Sequence, residues 1–231
     1  MSIADNVTRL REEIHEAAVK SGRTGSDVTL VAATKTQDAA IVQAAVAAGV
    51  DACGENRVQE LIEKQTAGAY IGAPLHFIGH LQKNKIRKVV GAVDLIQSVD
   101  SLPLLKAIDR VAEEMHVIQD VLIQVNIGND PDKFGVHAPE LDTFLEQAAS
   151  CAHIRVQGLM TMLPLEADER ETRVLFARMK QVFVDIREKM YNNIRIDTLS
   201  MGMSGDFYNA IVEGANMIRI GSTIFGNRYY R

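Results

Sequence analysis

A chain of 231 residues that is 47% apolar and 24% charged can bury a substantial core, and its composition argues against disorder. Its net charge of −5 offers no global field for nucleic acid or an anionic membrane surface, so an anionic ligand would need a local site. Cys53 and Cys151 lie outside any metal-ligand spacing, "MSIADNVTRLREEI" is not a leader peptide, and no run is long enough to span a bilayer; the expectation is a reduced, soluble, cytoplasmic protein.

In chain order, Ile3, Val7, Leu10, Ile14 and Ala17 fall at helical spacing, and Ser21-Gly22 ends that amphipathic helix. Eight strand candidates follow: Val28–Thr34, a short one near Val50–Cys53, Leu75–Ile78, Asp94–Ser98, Gln119–Asn126, Ile154–Met160, a short one around Asp197–Ser200, and Asn216–Ile220. Helical patterns lie between them, among them Leu102, Leu105, Ile108, Ala112, Met115 and Leu175, Met179, Val182, Phe183, Ile186, Met190. Repeated β-then-α alternation implies a parallel sheet, and eight units predict a closed (β/α)8 barrel with one extra N-terminal helix. An open doubly wound sheet is the alternative. No linker or low-complexity stretch divides residues 1–231, so a single domain is expected.

In such a barrel the site lies at the C-terminal ends of the strands. The first strand runs apolar through "LVAAT" and then meets Lys35. Lysine is rarely buried without a partner or a chemical use. The second strand is followed by "CGENRVQE", the third by "GHLQKNK", the fifth by "GNDPDKFG". In "LSMGMSGDFYNAI", Ser204 can cap a helix starting at Gly205, with Asp206 in its first turn. In "RIGSTIFG", Gly221 and Ser222 either form a phosphate cup at a helix start or a plain βα turn. Period-two alternation puts Met217 and Arg219 on one face of the last strand and Ile218 and Ile220 on the other; in the first strand it groups Val31, Ala33 and Lys35. Because first and last strands of a closed barrel are neighbours, Lys35, Arg219 and a phosphate would share a pocket. A desolvated lysine, an arginine and a phosphate cup suggest pyridoxal 5′-phosphate (PLP) held as a Schiff base, since burial beside another cation lowers an amine pKa. A sugar-phosphate enzyme with a Schiff-base lysine is the rival.

"VAATKT", "GENRVQE", "HFIGHLQKNK", "SVDS", "GLMTM", "LSMGMSGDF" and "VEGANMIRIGSTIFGNR" occur in that order over nearly the whole chain. Together they resemble the pyridoxal phosphate homeostasis proteins, which are alanine racemase-like N-terminal domain proteins. The resemblance implies a fold-type III PLP barrel without the racemase's second domain. It implies Lys35 as the Schiff-base (aldimine) lysine and Arg219 as the residue facing the pyridine nitrogen. Ser200, Gly221 and Ser222 match phosphate-binding positions, Met201 and Gly202 the adjoining wall, and Asn56 a position near the cofactor ring. Thr34 stands where serine is common and Leu75 where an aromatic often precedes "HFIG". His80 falls in a variable loop beside the site.

An arginine facing the ring nitrogen keeps its proton, which leaves the ring a poor sink for a carbanion. Two-base racemisation also needs an acid/base on the second face; of Tyr70, Tyr191, Tyr208, Tyr229 and Tyr230 only Tyr208 falls near a predicted site loop, where its helix position favours packing. The expected function is therefore a non-catalytic PLP carrier in intracellular PLP homeostasis; the alternative is a weak amino acid racemase. Expected partners are PLP and PLP-dependent apoenzymes as acceptors, with no nucleic acid and no membrane, the chain acting as a monomer or weak homodimer. His76 and His80 are not read as a metal pair, the cluster Lys83, Lys85, Arg87, Lys88 is read as a solvated helix face, and the methionines at 160, 162, 201 and 203 as core or pocket lining.

Overall fold

The computed structural model describes residues 2–164, 167–189, 191 and 193–226. Met190, Tyr229 and Tyr230 lie outside them. The elements run α1 (Ile3–Lys20), β1 (Thr29–Ala33), α2 (Ala39–Ala47), β2 (Ala52–Glu55), α3 (Val58–Thr66), β3 (Leu75–Phe77), β4 (Leu95–Val99), α4 (Leu102–Glu114), β5 (Gln119–Gln124), α5 (Leu141–Ala148), β6 (Ile154–Met160), α6 (Glu169–Arg187), β7 (Ile194–Ser200), α7 (Phe207–Val212), β8 (Met217–Ile220) and α8 (Ser222–Phe225). The strands pair in sequence order as a closed parallel barrel, with β8 pairing back onto β1. This is the (β/α)8 architecture expected from the sequence, and the open sheet is excluded.

By its contacts the chain forms two compact units, Met1–Leu75 with Met201–Arg231, and His76–Ser200. In the first, a reciprocal capping box between Ser2 and Asp5 starts α1, and the Ser21 N–H bonded to Ala18 ends it. Val7, Leu10, Ile14 and Ala17 are buried, as their spacing predicts. Polar side chains stitch this helix region to the end of the chain. Asn6 donates from Nδ2 to the Ile224 carbonyl at 2.9 Å, and the Arg23 guanidinium donates to the carbonyls of Ile211 and Ala215. The Ile211 carbonyl also accepts the Gly214 N–H, and Ala215 lies just beyond α7, so Arg23 ties the last turn of α7 to the segment that follows it.

In the second unit, Ile96, Leu105, Ile108, Leu122, Leu159, Met179 and Phe183 form the core. At Gly158, with φ +153°, an added Cβ would stand 1.9 Å from the Thr198 carbonyl oxygen. The β6–β7 register shifts between Val156 and Gly158, so the two backbones meet where only glycine fits. Residues Lys83–Lys88 form a 3₁₀ helix that buries Ile86 and turns its charges outward, with Arg87 paired to Glu114 at 2.7 Å.

Element boundaries differ where tertiary pairing overrides local preference. β2 runs on through Gly54 and Glu55, residues that disfavour strands, because Gly54 pairs with Ala33. β7 begins at Ile194, three residues earlier than expected, because β6 offers it a partner edge. Helix α4 buries Leu104 and Val111 beside Leu105, Ile108 and Ala112, while Met115 is 38% exposed; the apolar stripe is rotated from the predicted one. In α6, Phe176 and Thr172 are buried rather than Leu175 and Val182.

Truncating Leu10, wholly buried on α1, is expected to lower unfolding free energy by about 2–5 kcal/mol, read as a shift of the urea midpoint in Leu10→Ala with an unchanged m-value.

Candidate functional site

The pairing of β1 with β8 sets Thr29 opposite Met217 and Val31 opposite Arg219. Val31 and Arg219 therefore share a face, as the alternation predicts. Ile218 lies on the other side, its Cγ2 3.6 Å from where a Cβ on Gly202 would stand, close to α7. One step beyond, Gly221 comes beside Ala33, whose Cβ would lie 3.6 Å from a Cβ built on Gly221. β2 pairs on the other edge of β1, with Ala33 opposite Gly54. The C-terminal ends of β8, β1 and β2 thus bring Arg219, Gly221, Ser222, Lys35 and Asn56 to one side of the first unit.

Lys35 follows β1 in a turn that the Gln37 N–H closes onto the Thr34 carbonyl at 3.1 Å, and it is half-buried. Asn56 follows β2, and its Oδ1 is buried without a hydrogen-bond partner. A buried acceptor without a donor carries a desolvation cost that a ligand donor would relieve. Arg219 is 4% exposed; burial draws its guanidinium down to about 10, against the opposing attraction of Asp206. It stays cationic at neutral pH. In return, burial raises the Asp206 carboxyl above the usual carboxylate range, although the Met203 N–H and Arg219 pull the other way. Asp206 was expected only as a first-turn residue of a surface helix.

Ser204 does not cap a helix at Gly205. Helix α7 starts at Phe207 with Asp206 at its N-cap, and Ser204 Oγ instead accepts the N–H groups of Gly221 at 3.1 Å and Thr223 at 3.4 Å. It joins the loop after β7 to the loop after β8, and a sequence scan for local caps passes over such a long-range role. Gly202 takes φ +98°, and a Cβ there would come within 2.6 Å of the Ala210 Cβ; its glycine is required by the close seating of α7. Met201 is fully buried, with its N–H bonded to the Met217 carbonyl. Ser222 is exposed at the first position of α8.

In the second unit, Ser200 ends β7 buried, and its hydroxyl donates to Gln97 Oε1 at 2.7 Å; Gln97 Nε2 lies 2.9 Å from His76 Nδ1. His80 faces elsewhere, 3.1 Å from Asp100 Oδ2 and stacked on Phe134 with ring centroids 3.9 Å apart. Among the described residues no group of three or more His, Cys, Asp and Glu side chains is arranged to hold a metal ion.

The sequence pattern described as "Alanine racemase, N-terminal domain" matches residues 2–229. A protein of Aquifex aeolicus named "Pyridoxal phosphate homeostasis protein" is 35% identical over 230 residues, all of both chains. The chain belongs to this family of pyridoxal phosphate homeostasis proteins. PipY of Synechococcus elongatus, a family relative whose structure was solved with PLP bound, is 35% identical with a TM-score of 0.85, covering 97% of this chain and all of that one. An alanine racemase of Clostridium difficile shares the fold at 15% identity and a TM-score of 0.75, and the match spans 98% of this chain but 57% of the racemase.

Burial lowers the His76 imidazole from 6.5 to about 4, with Asp94 opposing. The unfolded chain then binds the extra proton first on acidification, so stability falls as pH drops from about 6.5 toward about 4. Equilibrium unfolding across that range is expected to show a loss of about 3 kcal/mol that is absent in His76→Gln.

Proposed function

We propose that this chain is a PLP-binding protein of PLP homeostasis, attaching PLP covalently through Lys35. One observation carries the reading: the β1–β8 pairing brings Lys35, the buried Arg219 and the Gly221-Ser222 turn to the same strand ends. PLP supplies an electrophilic aldehyde to an amine nucleophile. The residues present fit that group. Lys35 offers the amine. Arg219, a donor-only group still charged at neutral pH, suits the ring nitrogen and does not surrender a proton to it. Gly221 and Ser222 are assigned to the phosphate, with Met201 and Gly202 as the adjoining wall. Asn56 Oδ1, buried and unpartnered, is assigned to a donor on or near the cofactor.

The tyrosines favour a carrier over a racemase. Tyr70 donates to Glu55 Oε1, and burial raises its phenol well above the ordinary range, with Glu55 adding to the effect. Tyr208 lies under the Lys20 ammonium at 5.0 Å, and Tyr191 donates to Asp142. None of these three is poised as a second base beside Lys35. The reading extends to PLP-dependent apoenzymes as acceptors and to a single-domain monomer or weak homodimer in the cytoplasm. Two free, buried cysteines accord with a reducing compartment.

The purified protein mixed with PLP is expected to gain the visible absorbance of a PLP–lysine adduct, and borohydride reduction followed by peptide mass mapping should place the label on Lys35. Lys35→Ala should lose both; a label retained elsewhere at full occupancy would refute the assignment of Lys35, and rapid alanine racemisation by the wild type would refute the carrier reading.

A further inference from the structure

Beneath the Lys35 turn, on the side of β2 that faces α3, lies a buried charged cluster that the cofactor reading does not use. Glu55 is fully buried. Its Oε1 accepts from Thr34 Oγ1 at 2.5 Å, Lys64 Nζ at 2.6 Å and Tyr70 at 3.1 Å, while Oε2 is buried without a partner. Lys64, 8% exposed, also donates to the Thr34 carbonyl at 2.7 Å and to Glu60 Oε2 at 3.2 Å. Glu60 Oε2 in turn accepts the Thr36 N–H at 2.6 Å.

These bonds fall on both neighbours of Lys35. The Thr34 carbonyl and hydroxyl are held by Lys64 and Glu55, and the Thr36 amide is held by Glu60. Thr36 has φ +65°, a left-handed conformation that a β-branched residue rarely adopts. Such a backbone persists only where its surroundings over-determine it. A buried ion cluster is a costly way to gain stability, since apolar residues would serve as well. It does impose direction: an ammonium and a carboxylate, each aimed at one backbone group, hold a turn in one geometry.

We propose that Glu60, Lys64 and Glu55 are positioning residues that clamp the backbone on either side of Lys35 and so aim its amine at the ligand. The inference rests on Lys35 as the attachment point. Alpha-helix α3 carries Glu60 and Lys64 one turn apart, so both ends of the clamp move as one rigid element. Burial works to raise the Glu60 carboxyl, but the Thr36 N–H and Lys64 together hold it below the usual range, which keeps it an acceptor at neutral pH.

The test uses three variants of the full chain. Glu60→Ala removes the acceptor for Thr36 and leaves the Lys64–Glu55 pair. Glu60→Gln keeps an acceptor oxygen and serves as the conservative rescue. Lys64→Met removes the centre of the clamp and strands Glu55. Glu60→Ala is expected to weaken PLP binding by roughly tenfold and to shift the pH midpoint of the bound chromophore, with a melting temperature for the PLP-free protein close to wild type. Glu60→Gln should return to within about threefold of wild type. Lys64→Met should weaken binding further, with an added loss of thermal stability. Wild-type affinity and an unmoved pH midpoint in Glu60→Ala would overturn the clamp while leaving the assignment of Lys35 intact. If wild-type protein carries no label on Lys35, that assignment fails instead. The clamp is then read from amide hydrogen exchange at Thr36 in PLP-free protein: faster exchange in Glu60→Ala supports it and an unchanged rate overturns it.

Discussion

The parallel pairing of β8 with β1 is the constraint on which the site depends. It joins the two ends of the chain in one register, Val31 against Arg219, and so brings the strand that leads to Lys35 beside the strand that carries Arg219. Parallel strands cannot be joined by a hairpin, so this register is held by what packs around it. Helix α1 does much of that work. Its apolar stripe fills the layer outside the strands, and Asn6 and Arg23 bond the carbonyls at the ends of α8 and α7. The extra N-terminal helix is thus part of the support for the last two strand-end loops.

Charge burial is organised on both sides of the β1 and β2 strand ends. On the face shared by Val31 lies Arg219, with Asp206 as an opposing charge; on the helix-facing side lie Glu55 and Lys64, in direct contact at 2.6 Å. Each ion is expensive to desolvate alone and tolerable when paired. The consequence is a turn at Lys35 with charged groups fixed beneath it and a buried guanidinium on the neighbouring strand. The same burial that lowers Arg219 to about 10 leaves it protonated at neutral pH, so a ring nitrogen facing it would be hydrogen-bonded rather than protonated.

Much of this was legible in residue order. Ile154–Met160 matches β6 at both ends, and the alternation in "NMIRI" assigned Arg219 and Ile218 to opposite faces. The misses share a cause. Ser204 was read as a local cap because caps are recognised over three or four residues, whereas its hydroxyl bonds Gly221 and Thr223. Glu55 was placed in the segment after the second strand, whereas Ala33 pairs with Gly54, β2 runs on through Glu55 and Lys64 compensates the buried carboxylate. In each case the partner lies outside the window in which local pattern carries information.

By itself the sequence determined the alternation of strand and helix, the parallel barrel that follows from it, and the residue types able to meet PLP. Those depend on side-chain periodicity and composition, which are local quantities. Tertiary structure alone decided which charges are buried together, that Thr36 is held in a left-handed turn by a carboxylate from α3, and that Gly202 is required by the approach of α7. The physical reason is that desolvation and hydrogen-bond geometry belong to pairs of groups, and such pairs exist only once distant segments have been packed against each other.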